Sequence, residues 1–366
     1  MATKYPRLFL LGLVPLLCYH VPNRGQDPKE DIVRVRTRVV FVDTLVKDKK
    51  TGAPVADLTR ENFELLADGK PRPLSYFSRA GEGSRRPLAL LLVLDLVARD
   101  TGEYLRRTEV LESLSGALKK LSPEDEVAVV ASLGGPGAPL KTIIDFTRDR
   151  KKMTGALATV RELPLPQPRG YSEELENVAQ LAERAAKERP DSQIIVLETT
   201  ITFAPAAIKQ RDKIATRLIR ANIFYSPLIT DSGKGTMRIA KVPGKYPAPP
   251  LPILDALARF GGQDSHTPQY LAKQTGGEAT RIHQPEDYGA ALENLIASLA
   301  ARYNLGFALK ENEQDDGRMH KLEVRTKARD SKGKERKFIV LARRGYYLKT
   351  LEPPLVNEGK RRYLRW

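Results

Sequence analysis

Two patterns of apolar residues divide the chain. From residue 32 to 42 they alternate. Val33, Val35, Thr37 and Val39 share one face and Arg34, Arg36 and Arg38 the other, the period of two expected of a half-buried strand. Turn chemistry follows at Lys50-Thr51-Gly52-Ala53-Pro54, then Phe63-Glu64-Leu65-Leu66 and a second turn at Asp68-Gly69. Residues 31–80 therefore read as a small N-terminal β segment.

From Pro87 the alternation stops. Residues 88–94 are an unbroken apolar run closed by Asp95, the signature of a strand covered on both faces of a parallel sheet. Leu105, Val110, Leu111, Leu114 and Leu118 then fall at helical spacing within residues 103–121. Buried strands are predicted over 127–131, 140–146, 193–197 and 223–228. Helices are predicted over 148–163, 173–189 and 205–222, the first two separated by Pro164, Pro166, Pro168 and Gly170. This alternation predicts an α/β domain over 86–304, with a doubly wound, mainly parallel sheet flanked by helices. Residues 230–252, rich in Gly, Pro and Lys, read as an insertion loop. Helical spacing resumes over 253–260 and again over 285–303. β character returns over 303–309, 321–326 and 337–341, giving a C-terminal β segment at 305–350 and a basic tail at 351–366.

The first residues change the setting. Lys4 and Arg7 precede an apolar stretch at 8–17 of signal-peptide length, too short to span a bilayer comfortably. Residues 1–22 thus read as an export signal and 23–30 as a linker, which places the protein in the periplasm, the envelope or the extracellular space. Cys18, the only cysteine, has Leu17 where a lipoprotein signal needs a small residue. If the signal is cleaved after Cys18, disulfides and cysteine chemistry are excluded from the mature chain. The formal net charge is +16, and losing the first 25 residues removes only three of those positive charges. Charge of this sign favours anionic surfaces but says nothing of fold.

Three stretches together resemble the von Willebrand factor A-related proteins that are numerous in acidobacteria. They are VADLTRENFELLADGKPRPLSYF at 55–77, PLALLLVLD at 87–95, and LAKQTGG at 271–277 followed by ARYNLGF at 301–307 and RRGYYL at 343–348. The resemblance implies a Rossmann-like sheet with the N- and C-terminal β segments packed together. It also implies a ligand site at the carboxyl ends of the strands, where such domains hold Mg²⁺ through an Asp-x-Ser-x-Ser loop, a Thr and a second Asp. Here the pattern breaks. Asp95 matches the first Asp, but Val97 and Arg99 take the serine positions, Ser172 is the substitute for the Thr, and Thr199 falls where the second Asp is expected. Valine offers no oxygen, and a guanidinium repels a cation. The implied metal site is degenerate, with Asp95 its one vestigial ligand, so no cofactor is expected and Mg²⁺ is the alternative. For Asp95 itself the alternatives are capping the helix that follows or pairing with Arg99.

Other constellations are weak. His20, His266, His283 and His320 are scattered without metal-ligand spacing, and contiguous Asp264-Ser265-His266 is not a converging triad. Gly233-Lys234-Gly235-Thr236 lacks the leading glycine of a phosphate loop. Asn312 to Glu323 partly matches a Ca²⁺ loop, but a hairpin turn at Asp316-Gly317 is the simpler reading. The expected function is a non-enzymatic, adhesion-like module. Its partner-binding residues are Asp95, Arg99, Ser172 and Thr199, and its partner is an extracytoplasmic protein rather than nucleic acid. The tail, with Lys360, Arg361, Arg362 and Arg365, offers a peripheral contact to an anionic surface. The alternatives are an envelope scaffold, and a metal-dependent binding protein or hydrolase with a divergent site using Asp95, Ser172 and Glu198.

Overall fold

The computed structural model describes residues 38–79, 86–97, 99–166, 171–201, 208–230 and 267–348. The export signal, the linker, residues 32–37, the insertion, the helix at 253–260 and the basic tail lie outside the described residues, as do His266 and the Gly233–Thr236 stretch.

The apolar run at 88–94 forms β5 (Leu88–Asp95), buried at every position. It lies between β6 (Glu126–Ser132) and β8 (Gln193–Ile201), parallel to both. The sheet continues through β9 (Phe224–Thr230) to β10 (Thr280–Ile282) on one side and to β7 (Leu140–Thr147) on the other, in the order β10-β9-β8-β5-β6-β7. All pairs are parallel except β6 with β7, whose antiparallel register shifts twice around Val129. The expectation of a mainly parallel, helix-flanked sheet holds, with one antiparallel edge. Helices α2 (Thr108–Leu118), α3 (Arg150–Ala158) and α7 (Asp287–Ala300) cover one face, packing Leu114, Leu157 and Leu292 onto Leu90, Leu92 and Leu197. Helices α4 (Tyr171–Glu188), α5 (Ile208–Arg220) and α6 (Thr267–Thr275) cover the other, packing Ala182, Leu218 and Leu271 against Leu91, Val93 and Val196.

The helix predicted over 103–121 is in fact two, α1 (Arg99–Leu105) and α2, with a break at Arg106-Arg107. A side chain at Gly102 would strike the carbonyl of Leu96, so α1 is seated hard against the end of β5. Helix α6 went unpredicted, because its apolar residues are few and interleaved with Gln and Lys.

The terminal segments build a second body. β1 (Val39–Asp48), β4 (Tyr76–Ser78), β11 (Tyr303–Ala308) and β13 (Phe338–Leu341) make one antiparallel sheet in the order β13-β1-β11-β4. β2 (Phe63–Ala67), β3 (Lys70–Arg72), β12 (His320–Thr326) and β14 (Gly345–Tyr346) make another in the order β14-β12-β2-β3. Their inner faces share one core of Val40, Val42, Phe63, Leu65, Phe307 and Leu322, so the two sheets form a sandwich into which the α/β layers are inserted between β4 and β11. The buried phase of β1 falls on Val40 and Val42, while Val39 is only half buried, opposite to the phase read for the alternating stretch. Tyr303 ties the core together: its hydroxyl donates to Val55 O at 2.8 Å and accepts from Leu58 N at 3.1 Å.

The Asp316-Gly317 turn joins β11 in one sheet to β12 in the other, so it is a crossing loop and not a hairpin. Asp316 has a specific task there. His320 is buried, stacked on Tyr346 at 5.1 Å, with Nδ1 at 2.8 Å from Asp68 Oδ2 and Nε2 at 3.2 Å from Asp316 Oδ1. Burial pushes the Asp68 carboxyl up, but the imidazole and the Lys321 N–H outweigh it and hold it below the usual carboxylate range. Asp316 is also held low: its desolvation is outweighed by hydrogen bonds from Arg318 and His320. A carboxylate with a depressed native pKa stabilises the fold above its unfolded pKa and loses that contribution as pH falls through the native one. Thermal melts between pH 5 and about pH 2 should therefore fall more steeply for the native chain than for His320→Phe, which keeps the stack without the ring nitrogens. Parallel curves would contradict this role.

Candidate functional site

In open α/β sheets the ligand crevice lies beyond the carboxyl ends of the strands, where the chain changes direction across the sheet. Here that point falls between β5 and β8. The connection after β5 runs through α2 on one face, and the connection after β8 runs through α5 on the other. The strand ends converging there carry Asp95 on β5, Ser132 on β6, Glu198, Thr199 and Thr200 on β8, and Thr230 on β9, every one of them buried.

Register brings Thr199 beside Leu94 and Ser132 beside Asp95. The Thr199 hydroxyl accepts from Asp95 N at 2.9 Å and donates to Val93 O at 3.3 Å, tying the end of β8 to the end of β5. Asp95 Oδ1 accepts from Val97 N at 2.9 Å, a side-chain turn that aims the chain into α1. Val97 precedes α1, so this bond shapes the turn into the helix rather than capping it, and the Arg99 side chain, the other local alternative for Asp95, lies outside the described residues. Thr199→Val, which removes the hydroxyl at nearly constant volume, should leave Asp95 N without its partner and cost about 1–3 kcal/mol. Thr199→Ser should cost less than half as much. Equal melting curves for Thr199→Val and the native chain would remove this role.

Around this pair sits a hydroxyl network. Tyr288 on α7 is fully buried, with its hydroxyl 2.7 Å from Thr230 Oγ1 and in hydrogen-bond contact with Thr101. Burial pushes its phenol well above the ordinary range, so it stays protonated. Thr101 in turn reaches Thr200 O at 3.5 Å. On the other face of β8, Glu198 Oε2 accepts from the Tyr225 hydroxyl. Ser132 Oγ and Thr200 Oγ1 are enclosed with no hydrogen-bond partner among the described residues.

Thus Asp95 and Thr199 come together at the crevice. Arg99 opens α1 beside them and Ser172 lies in the first turn of α4; their side chains lie outside the described residues. Sequence reasoning missed Ser132, Thr101, Thr230 and Tyr288, which carry no motif and meet only through strand register and the docking of α7.

The described donor set does not fit a hard divalent cation. Mg²⁺ needs near-octahedral oxygen coordination, whereas Val97 supplies no oxygen and the Thr199 hydroxyl is engaged by backbone on both sides. No group of three or more His, Cys, Asp or Glu side chains among the described residues is placed to hold a metal ion. Among the described residues one Asp-His-Asp array, Asp68-His320-Asp316, occurs, and it lies in the sandwich. A hydrolytic histidine needs its second nitrogen on a nucleophile, and here that nitrogen faces a second carboxylate. No described helix is long and apolar enough to cross a membrane.

No protein-family profile matches the chain, and no curated protein sequence does. Solved structures with similar architecture include a von Willebrand factor type A protein from Catenulispora acidiphila, at 9% identity and TM-score 0.42, covering 87% of this chain and 76% of that one. Manganese-loaded TRAP protein from Plasmodium vivax is similar at 11% identity and TM-score 0.35, covering 76% of this chain and 95% of that one. Proximal thread matrix protein 1 from the mussel byssus is similar at 12% identity and TM-score 0.39 over 58% of this chain, which spans about half (48%) of the mussel protein's length. Likeness at this depth transfers neither ligand nor activity, and the fold is read from this chain's own strand order and registers.

Proposed function

We propose that the chain is an exported, non-enzymatic interaction module of the von Willebrand factor A-like type, which binds an extracytoplasmic protein at the β5–β8 crevice without a bridging metal. The observation that carries this is the pairing of Thr199 with the β5 end. Asp95, the one match to the metal-binding pattern, and Thr199, which stands in place of its second Asp, help hold the loop to the sheet. A loop tied to the sheet by its own hydrogen bonds keeps its shape without an ion, and shape with a few charges at the rim is what a protein partner reads. Arg99, which opens α1 and replaces the second serine of the metal loop in sequence, adds a positive charge to this loop, which suits an acidic partner.

Isothermal titration of the mature chain with Mg²⁺ and Mn²⁺, with Asp95→Ala as control, tests the metal-free reading. It predicts no saturable heat at millimolar metal. Stoichiometric binding that disappears in Asp95→Ala would restore metal-bridged recognition. Arg99→Glu is expected to weaken partner binding at least tenfold (about 1.4 kcal/mol), and unchanged binding would remove Arg99 from the site.

A further inference from the structure

Away from the crevice, α6 meets the sandwich. A cleft of about 390 Å³ opens between them, within the range of ligand sites, which favour junctions of this kind. Its floor is apolar: Leu66 and Leu322 are buried, and Met319 is exposed over 40% of its surface. Its walls are cationic. Lys273 comes from α6, Lys321 from β12, and Arg344 from the turn before β14. The cleft is held at fixed width, because Arg344 N donates to Gln274 O at 2.9 Å and Leu322 N to Arg344 O at 2.9 Å.

Around the sandwich Lys47 pairs with Glu278, Arg72 with Glu313 and Arg336 with Asp57. No side-chain hydrogen bond or ion pair holds Lys273, Lys321 or Arg344 among the described residues. The one acid in the wall, Glu323, accepts from Arg325 at 2.7 Å, with Arg344 near enough to help hold its carboxyl below the ordinary range. Three cations on two walls, separated by an apolar floor, call for an occupant with more than one acidic group flanking an apolar one. A point anion satisfies the walls but leaves the floor bare. We infer that this cleft binds an acidic, apolar-interleaved peptide segment of a partner protein, through carboxylates on Lys273, Lys321 and Arg344 and an apolar side chain on Leu66 and Met319. It is independent of the β5–β8 crevice.

The test is fluorescence anisotropy of the full chain with a labelled peptide of alternating Glu and Leu. Three proteins are compared: the native chain, the reversal K273E/K321E/R344E, and a control reversal K327E/K332E/K334E, which changes the same charge at exposed positions outside the cleft. Lys321→Gln serves as a milder variant, and circular dichroism melts confirm that each is folded. The expected result is at least a tenfold loss of affinity in the cleft reversal, a smaller loss in Lys321→Gln, and less than a twofold change in the control. Equal loss in both reversals would reduce the binding to net charge and overturn the site. Displacement of the peptide by equimolar inorganic pyrophosphate would overturn the peptide assignment, and so would absence of binding by the native chain.

Discussion

Arg302→Ala is expected to destabilise the protein by about 3–5 kcal/mol, the cost of breaking a buried charge cluster by removing one partner. Arg302 follows α7 at the joint between the α/β layers and the sandwich. Its Nη2 donates to Gly276 O at 2.9 Å and its guanidinium lies 4.4 Å from the centre of the Phe224 ring. With Arg343 it flanks Asp43 of β1. Burial brings both guanidinium groups down to about 10, against the attraction of Asp43, and pushes the Asp43 carboxyl up. Each ion is therefore held at a desolvation cost that its neighbours only partly offset. Arg302 Nε and Nη1 and Arg343 Nε are enclosed without hydrogen-bond partners among the described residues. Alanine leaves Asp43 with one counter-ion fewer, Gly276 O without its donor and a void over Phe224. Arg302→Met, which fills the void without charge, is expected to recover part of the loss, and Arg302→Lys less, because an ammonium cannot stack on the ring as a plane. Urea unfolding measures all three. A change below 1 kcal/mol in Arg302→Ala would show that the cluster is not holding the joint.

Gly277→Ala is the second large effect expected, about 3 kcal/mol of overpacking. A Cβ at Gly277 would run into the carbonyl of Tyr225, which is backbone of β9 and cannot rotate away. Displacing β9 there also moves Tyr225, whose hydroxyl holds Glu198 at the far end of β8, so the substitution should loosen the crevice as well as the joint. Gly276 before it has φ +79°, and a side chain there would stand 2.5 Å from Arg343 N. Hydrogen exchange of the β8 and β9 amides, with a chemical melt, checks both parts. Unchanged melting of Gly277→Ala would mean that the strand and the α6 turn are not packed this closely.

Legibility followed burial. The β5 run was plain because a strand covered on both faces has no polar position to interrupt it, and the alternation around it placed the helices on either side. The pairing of β1 with β11 was not readable from either strand, since Val39 faces Ala308 from the opposite end of the chain and neither carries a register mark. The one cue was the likeness of both terminal segments to a single known arrangement. The closure of the two sheets over Phe63, Tyr303 and Phe307 was likewise invisible. At the site, Asp95 was legible because an acid closing an apolar strand is unusual. The work of Thr199 was not, because its two bonds go to backbone atoms that no sequence displays. His320 was dismissed with the scattered histidines, and its partners come from two separate turns.

We propose that a protein partner seats on the β5–β8 crevice without metal. This seating is tested most directly by placing a photocrosslinking residue at Val97, which is half buried beside Asp95 at the mouth of the crevice, and irradiating cells of the native host with and without EDTA. The same residue at the exposed Lys152 on α3 serves as the distant control. The expected result is a discrete protein adduct from Val97, absent from Lys152 and undiminished by EDTA. Loss of the adduct in EDTA, or equal adducts from both positions, would contradict it.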